Sequence, residues 1–207
     1  SVTDSWYLAC RTLAPAAGDA AIAATGSGIE GRWREPHRHY HTIVHLEEML
    51  RVLHPLSADP PGHAVAVLAA WFHDAVYDPR AGGNEAASAR LADRDLTDLG
   101  VAAEARAAVA GLVLMTADHA VPREDSLSAW FHDADLWILS ADPGRFDEYC
   151  AQVRAEYAHV PDAAYAAGRA AILRPLLERP RLYATTAAHR DWDGPARTNL
   201  RRELARL

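Results

Sequence analysis

The stretch Ala64-Val65-Ala66-Val67-Leu68-Ala69-Ala70-Trp71-Phe72 has no polar side chain at any position. A run without a polar face predicts a helix buried around most of its circumference, so the chain must supply several further elements to cover it. The run ends in His73-Asp74. An imidazole beside a carboxylate in apolar surroundings needs partners, because an unpaired buried polar group costs roughly 2–7 kcal/mol and a charge costs more. A divalent metal would supply the partner. The plainer alternative is a buried His-Asp pair capping a core helix.

The elements available to cover that helix are themselves helical. Thr3 or Asp4 can cap a first helix through about Ala14. Ala16 to Gly31, with four glycines, reads as a short helix and loops. A helix following His37-Arg38-His39-Tyr40-His41 runs to Leu53, with His41, His45, Met49 and Val52 on one face. Ser57 to Gly62 is a turn-rich loop. Further helices are predicted from an Asn84 or Gly83 cap through Leu96, from Ala102 to Met115 and from an Asp125 cap to about Leu139. Others run from Asp142-Pro143 to about Tyr157, from Asp162 to Glu178, and from Pro195 to the end. No period-2 apolar strand of useful length interrupts them. The expected fold is all-α, a single helical domain over 1–207 of roughly eight helices.

Composition narrows the chemistry. All 21 basic residues are arginine, which excludes a P-loop lysine, a pyridoxal Schiff base and a lysine general base. The net charge of −7 argues against a nucleic-acid polymer as partner. No apolar run reaches membrane-spanning length and no signal-peptide pattern opens the chain, so a cytoplasmic location is expected. Cys10 and Cys150 form no CxxC pair, in keeping with a reducing compartment.

The histidines and acids follow an order: His41 and His45, then His73-Asp74, then Asp133-Ala134-Asp135. This order resembles the HD superfamily of metal-dependent phosphohydrolases, whose pattern is a histidine, a His-Asp pair and a distant aspartate. Tyr40-His41-Thr42-Ile43-Val44-His45 is similar to the Tyr-His-Asn-x-x-His motif of class I cyclic-nucleotide phosphodiesterases, with Thr42 in place of the usual Asn. His132-Asp133-Ala134-Asp135-Leu136 is similar to their His-x-Ala-Asp-Leu segment. The chain also resembles a bacterial family of predicted HD phosphohydrolases. That match rests on Glu35 to His41, His73 to Asp78, Asn84-Glu85 with Ser88-Ala89, and Thr116 with His119. Arg154 with Glu156-Tyr157 and Ala196-Arg197 with Asn199-Leu200 extend it toward the C-terminus.

The resemblance implies His45, His73, Asp74 and Asp135 as metal ligands. Two imidazoles and two carboxylates suit a divalent Mn, Fe, Co, Ni or Zn ion, and Asp74 could bridge to a second metal such as Mg. By the same resemblance His41 is the catalytic residue that protonates the leaving oxygen. One helical turn before His45, it would reach the same cavity, as a catalyst or as a ligand. Arg38 is the candidate cation for a substrate phosphate, and Asp78 and Glu85 are candidates to orient water or ligand histidines. His119 would bind phosphate or a second metal, or be a surface histidine. Asp133 and Asp135 are separated by a helical wheel on which Leu127, Phe131, Ala134 and Ile138 define the buried face. Asp135 lies about 65° from its centre and Asp133 roughly 140° away, which predicts that Asp133 points to solvent or a neighbouring loop.

These features lead to the expectation of a phosphohydrolase acting on a nucleotide or another small phosphorylated metabolite, with oligomeric state left open. The alternatives are a non-catalytic module that senses metal or nucleotide, a phosphodiesterase proper, and an HD-type diiron oxygenase using His119 and Asp118.

Overall fold

The computed structural model describes residues 1–54, 59–120 and 122–207. They form ten α-helices and a short 3-10 segment, with no strand among the described residues. The all-α expectation holds, and the count exceeds eight. The chain divides into two compact units, Ser1–Ala120 and Val121–Leu207.

In the first unit, α1 (Val2–Leu13) starts at a capping box in which Ser1 accepts from the Asp4 amide and Asp4 reaches back to the Ser1 amine. The cap is thus Ser1, not Thr3 or Asp4. Helix α2 (Asp19–Trp33) runs unbroken through the stretch read as a short helix and loops. Glycine lowers helix propensity by roughly 1 kcal/mol per position, but Gly26 has a packing role. A Cβ there would stand 2.6 Å from the indole of Trp6. Trp6 in turn donates to the Ile22 carbonyl and packs on Trp71 and Phe72. Contact with the central helix therefore overrides local propensity.

That central helix is α4 (Pro60–Phe72), with prolines in its first turn where no N–H bond is lost. Every residue from Ala64 to Phe72 is buried. Helices α1, α3 (Ile43–Leu53), α5 (Asn84–Asp98) and α6 (Ala103–Met115) pack around it. Gly83, at φ 80°, supplies the left-handed entry to α5 that residues with a Cβ rarely adopt. Of the predicted loop of Ser57 to Gly62, Asp59 is the N-cap of α4 and Pro60 to Gly62 belong to its first turn, so that part is helix, while Ser57 and Ala58 lie outside the described residues.

In the second unit, α7 (Leu127–Asp135) is capped by Ser126, whose hydroxyl accepts from the Ala129 amide. Asp125, predicted as the cap, instead has φ 50° and binds the amide and hydroxyl of Thr186. The α-helix ends at Asp135 rather than near Leu139, and a 3-10 segment, Leu136–Ser140, continues the chain. Asp142 caps α8 (Pro143–Glu156) as expected. Helix α9 is Asp162–Glu178.

Helix α10 (Thr186–Leu204) starts nine residues before Pro195, which lies inside it. Proline removes one helical N–H bond, but side chains flanking it anchor the helix. Asp193 accepts from the Leu182 amide and Arg197, and Asn199 donates to the carbonyls of Leu139 and Ala141. No helix among the described residues is long and apolar enough to cross a membrane.

Candidate metal centre

The end of α4 and the start of α3 bring three donor atoms together in the first unit. His73 is the C-cap of α4, and its Nδ1 lies 2.8 Å from the Ala70 carbonyl. A carbonyl only accepts, so Nδ1 carries the proton and Nε2 of the neutral ring presents a lone pair. That Nε2 stands 3.1 Å from His45 Nε2 and 3.0 Å from Asp74 Oδ2, while His45 Nε2 and Asp74 Oδ2 are 3.9 Å apart.

A lone pair facing a carboxylate oxygen is repulsive unless a cation lies between them. The arrangement requires a proton on His73 or a metal ion among the three atoms. Donor atoms about 2.1 Å from a metal stand roughly 3.0–3.5 Å from one another. Two of the three separations fall in that range, and a small rotation of the carboxylate closes the third. His45 and His73 are buried, and the donor chemistry of two imidazoles and a carboxylate can hold a divalent metal ion.

The surroundings hold these groups in place. The Tyr40 hydroxyl is 3.1 Å from His45 Nδ1. A phenol both donates and accepts, so it satisfies either tautomer of His45 and leaves Nε2 available. Trp33 donates to the Trp71 carbonyl and its ring lies 5.4 Å from that of His73. Burial pushes the Asp74 carboxyl upward. With the imidazoles protonated rather than metal-bound, the charges of His73, His41 and His45 and a hydrogen bond from His73 outweigh that and hold it well below the usual carboxylate range. Asp74 is therefore ionised, the form that binds metal.

His41 is close to this group but does not arrive by the predicted route. Helix α3 begins at Ile43 with Thr42 as its cap, the Thr42 hydroxyl accepting from the Val44 amide. His41 precedes the helix, so the i, i+4 argument does not place it. Its ring lies 6.0 Å from that of His45 and stacks on Tyr77 at 4.2 Å. The cap also explains Thr42 where the resembling motif has Asn, since both residues cap helices well.

Several predicted residues have other surroundings. The Arg38 side chain is fully buried, and its guanidinium binds Glu35 and the carbonyls of His41, Asp74 and Ala75. It is committed to protein groups rather than offered to a phosphate. Asp78 Oδ1 accepts from the Arg80 amide, and the Asp78 backbone exchanges two hydrogen bonds with the Asn84 amide group. Glu85 lies in the first turn of α5, where the helix dipole favours an acid. His119 follows α6 with φ 49°. His37 Nε2 contacts the Tyr77 carbonyl at 2.7 Å and is exposed.

In the second unit, Asp135 is the last residue of α7 and is partly exposed. Asp133 is buried and does not face solvent. It accepts from the Ala184 and Thr185 amides and the Thr185 hydroxyl, and it lies 2.9 Å from His132 Nδ1. Of the wheel's two alternatives for Asp133, the neighbouring loop holds: Ala184 and Thr185, in the loop before α10, turn their N–H groups to the carboxylate and bury it.

Sequence reasoning missed Trp33, which no motif singles out, and the contact of Tyr77 with His41. Tyr40 lay inside the quoted motif but carried no assigned role. Comparison with protein-family models, curated proteins and solved structures finds no match to the chain.

Proposed function

We propose that this protein is a metal-dependent phosphohydrolase acting on a phosphate ester of a nucleotide or another small phosphorylated metabolite. The observation that carries the metal reading is the convergence of His45 Nε2, His73 Nε2 and Asp74 Oδ2, with the far nitrogen of each imidazole already engaged. Phosphate-ester chemistry and the role of Asp135 as the last ligand rest on the resemblance of the His-Asp and Ala-Asp-Leu segments to HD enzymes.

A divalent ion held there supplies Lewis-acid polarisation of a phosphoryl oxygen and acidifies a water molecule. The chain supplies the remainder. Asp74, kept ionised, holds charge opposite the ion. Tyr40 and the Ala70 carbonyl fix the two imidazoles. His41, near Asp74 and not on the helix that carries His45, donates a proton to the leaving oxygen, a role worth about 10²–10⁴-fold in rate.

The test begins with protein purified without chelator, analysed for bound metal. A hydrolysis screen over nucleotides and sugar phosphates, with Mn, Fe, Co, Ni, Zn and Mg added singly, follows. The reading expects stoichiometric transition metal, lost in Asp74→Ala, and phosphate release that His41→Ala abolishes while metal is retained. Full metal content and activity in Asp74→Ala would overturn it. Metal binding without turnover of any phosphate ester would favour a sensor module.

A further inference from the structure

The guanidinium of Arg38 is the most completely hydrogen-bonded cation near the candidate centre. Its Nε and Nη2 donate to Glu35 Oε2 at 3.1 and 3.0 Å. Nη1 donates to the carbonyls of Asp74 and His41 at 2.7 and 3.1 Å, and Nη2 to that of Ala75 at 3.2 Å. These bonds use all five N–H groups. The group also lies between two aromatic faces, with its carbon 5.6 Å from the Trp33 ring and 5.5 Å from the Tyr77 ring.

These partners belong to two chain segments that are distant in sequence. Glu35 and His41 lie on the loop before α3. Asp74 and Ala75 form the turn after α4. The loop carries Tyr40, which engages His45, and His41, which stacks on Tyr77. The turn carries the Asp74 carboxylate. No helix hydrogen bond ties the loop to the turn, since α3 starts only at Ile43 and α4 ends at Phe72.

We propose that Arg38 is a positioning residue, a buried latch that sets metal affinity by locking the Glu35–Thr42 loop onto the Asp74–Ala75 turn. The proposal rests on the metal reading given above. Carbonyl oxygens facing two directions require a planar fork. A lysine ammonium has three donors on one nitrogen and cannot span them. Loss of the latch frees Tyr40 from His45 and His41 from Tyr77, so ligand orientation suffers before the helices do.

The experiment titrates metal-free wild type, Arg38→Lys, Arg38→Ala and Glu35→Gln with cobalt(II), following visible absorbance, with urea unfolding of each variant in parallel. Arg38→Lys is expected to stay folded and to bind cobalt about 10–100-fold more weakly, as for other partners of ligand residues. Methylguanidinium is expected to restore affinity to Arg38→Ala and not to Arg38→Lys, whose side chain still fills the cavity. Glu35→Gln leaves the guanidinium in place and gives a smaller loss in the same direction.

An affinity in folded Arg38→Lys equal to wild type, with only a lowered urea midpoint, would overturn the latch. Wild-type protein that binds no cobalt would overturn the metal reading instead. In that case imidazole NMR of metal-free protein still tests the latch, because the shift that Tyr77 imposes on the His41 ring should collapse in Arg38→Lys and persist in wild type. An unchanged His41 signal would refute it. Should the Arg38 variants fail to fold, the cobalt affinity and His41 signal of Glu35→Gln decide, and wild-type values for both would refute it.

Discussion

Replacing Asp133 by asparagine removes one charge and changes shape very little, so its effect isolates what the carboxylate does. Oδ1 accepts from the Ala184 amide at 2.8 Å, and Oδ2 accepts from the Thr185 amide at 2.8 Å and its hydroxyl at 2.7 Å. His132 Nδ1 lies 2.9 Å from Oδ1. The His132 ring can change tautomer and the Thr185 hydroxyl can rotate, but the two backbone amides can only donate. Whichever way the asparagine amide turns, its NH2 group meets one of them. A buried donor left unsatisfied costs about 1–3 kcal/mol, and the surviving bonds lose their charge assistance, which brings the expected total to roughly 2–5 kcal/mol.

Urea unfolding of Asp133→Asn, Asp135→Asn and wild type measures this. The first variant should lose the stated amount, while Asp135→Asn, at a partly exposed position, should change by less than about 1 kcal/mol. In the same proteins Asp135→Asn should lose most bound metal, and folded Asp133→Asn should keep it. If Asp133→Asn costs less than about 1 kcal/mol, the reasoning from donor geometry fails. Loss of metal in folded Asp133→Asn alone would exchange the roles of the two aspartates.

Burial pushes the thiols of Cys10 and Cys150 up to about 12, so both should resist alkylation at neutral pH in folded protein and react fully in urea, whereas immediate reaction of both would contradict the packing. In α2, Gly26→Ala drives a Cβ into the Trp6 indole and should destabilise by about 1–3 kcal/mol, while Gly28→Ala, with open space around it, should be neutral or stabilising; equal Tm values would refute the contact. The Asp193 carboxyl is pushed up by partial burial, but Arg197 and the Leu182 amide hold it below its ordinary value. Its stabilisation is therefore complete above the unfolded carboxylate pKa of about 3.9 and disappears as pH falls through the lower folded value. Asp193→Asn should flatten that acid limb of stability, and an unchanged limb would show that other carboxylates set it.

The apolar run from Ala64 to Phe72 determined by itself that a buried helix would organise the first unit. Helix-period patterning and absent strand patterning determined the all-α class. Cap residues adjacent to their helices were legible where one local bond decides, as at Asp142. His45, His73 and Asp74 were legible through the resemblance of their segments to HD enzymes, and their donor chemistry suits a metal ion.

Tertiary structure decided what depends on distant partners. Glycines in α2 remained helical because Trp6 needs Gly26 close. Pro195 remained inside α10 because Asp193, Arg197 and Asn199 anchor that helix to other segments. The partners of Arg38 and Asp133 escaped the sequence for one shared reason. Charged side chains read as solvent-facing or ligand-facing in a sequence, yet both are buried here by carbonyl oxygens or N–H groups from residues about 35 to 50 positions away. Backbone groups contribute those partners regardless of side-chain identity, so no residue pattern announces them, and only the folded chain aligns them with the charge.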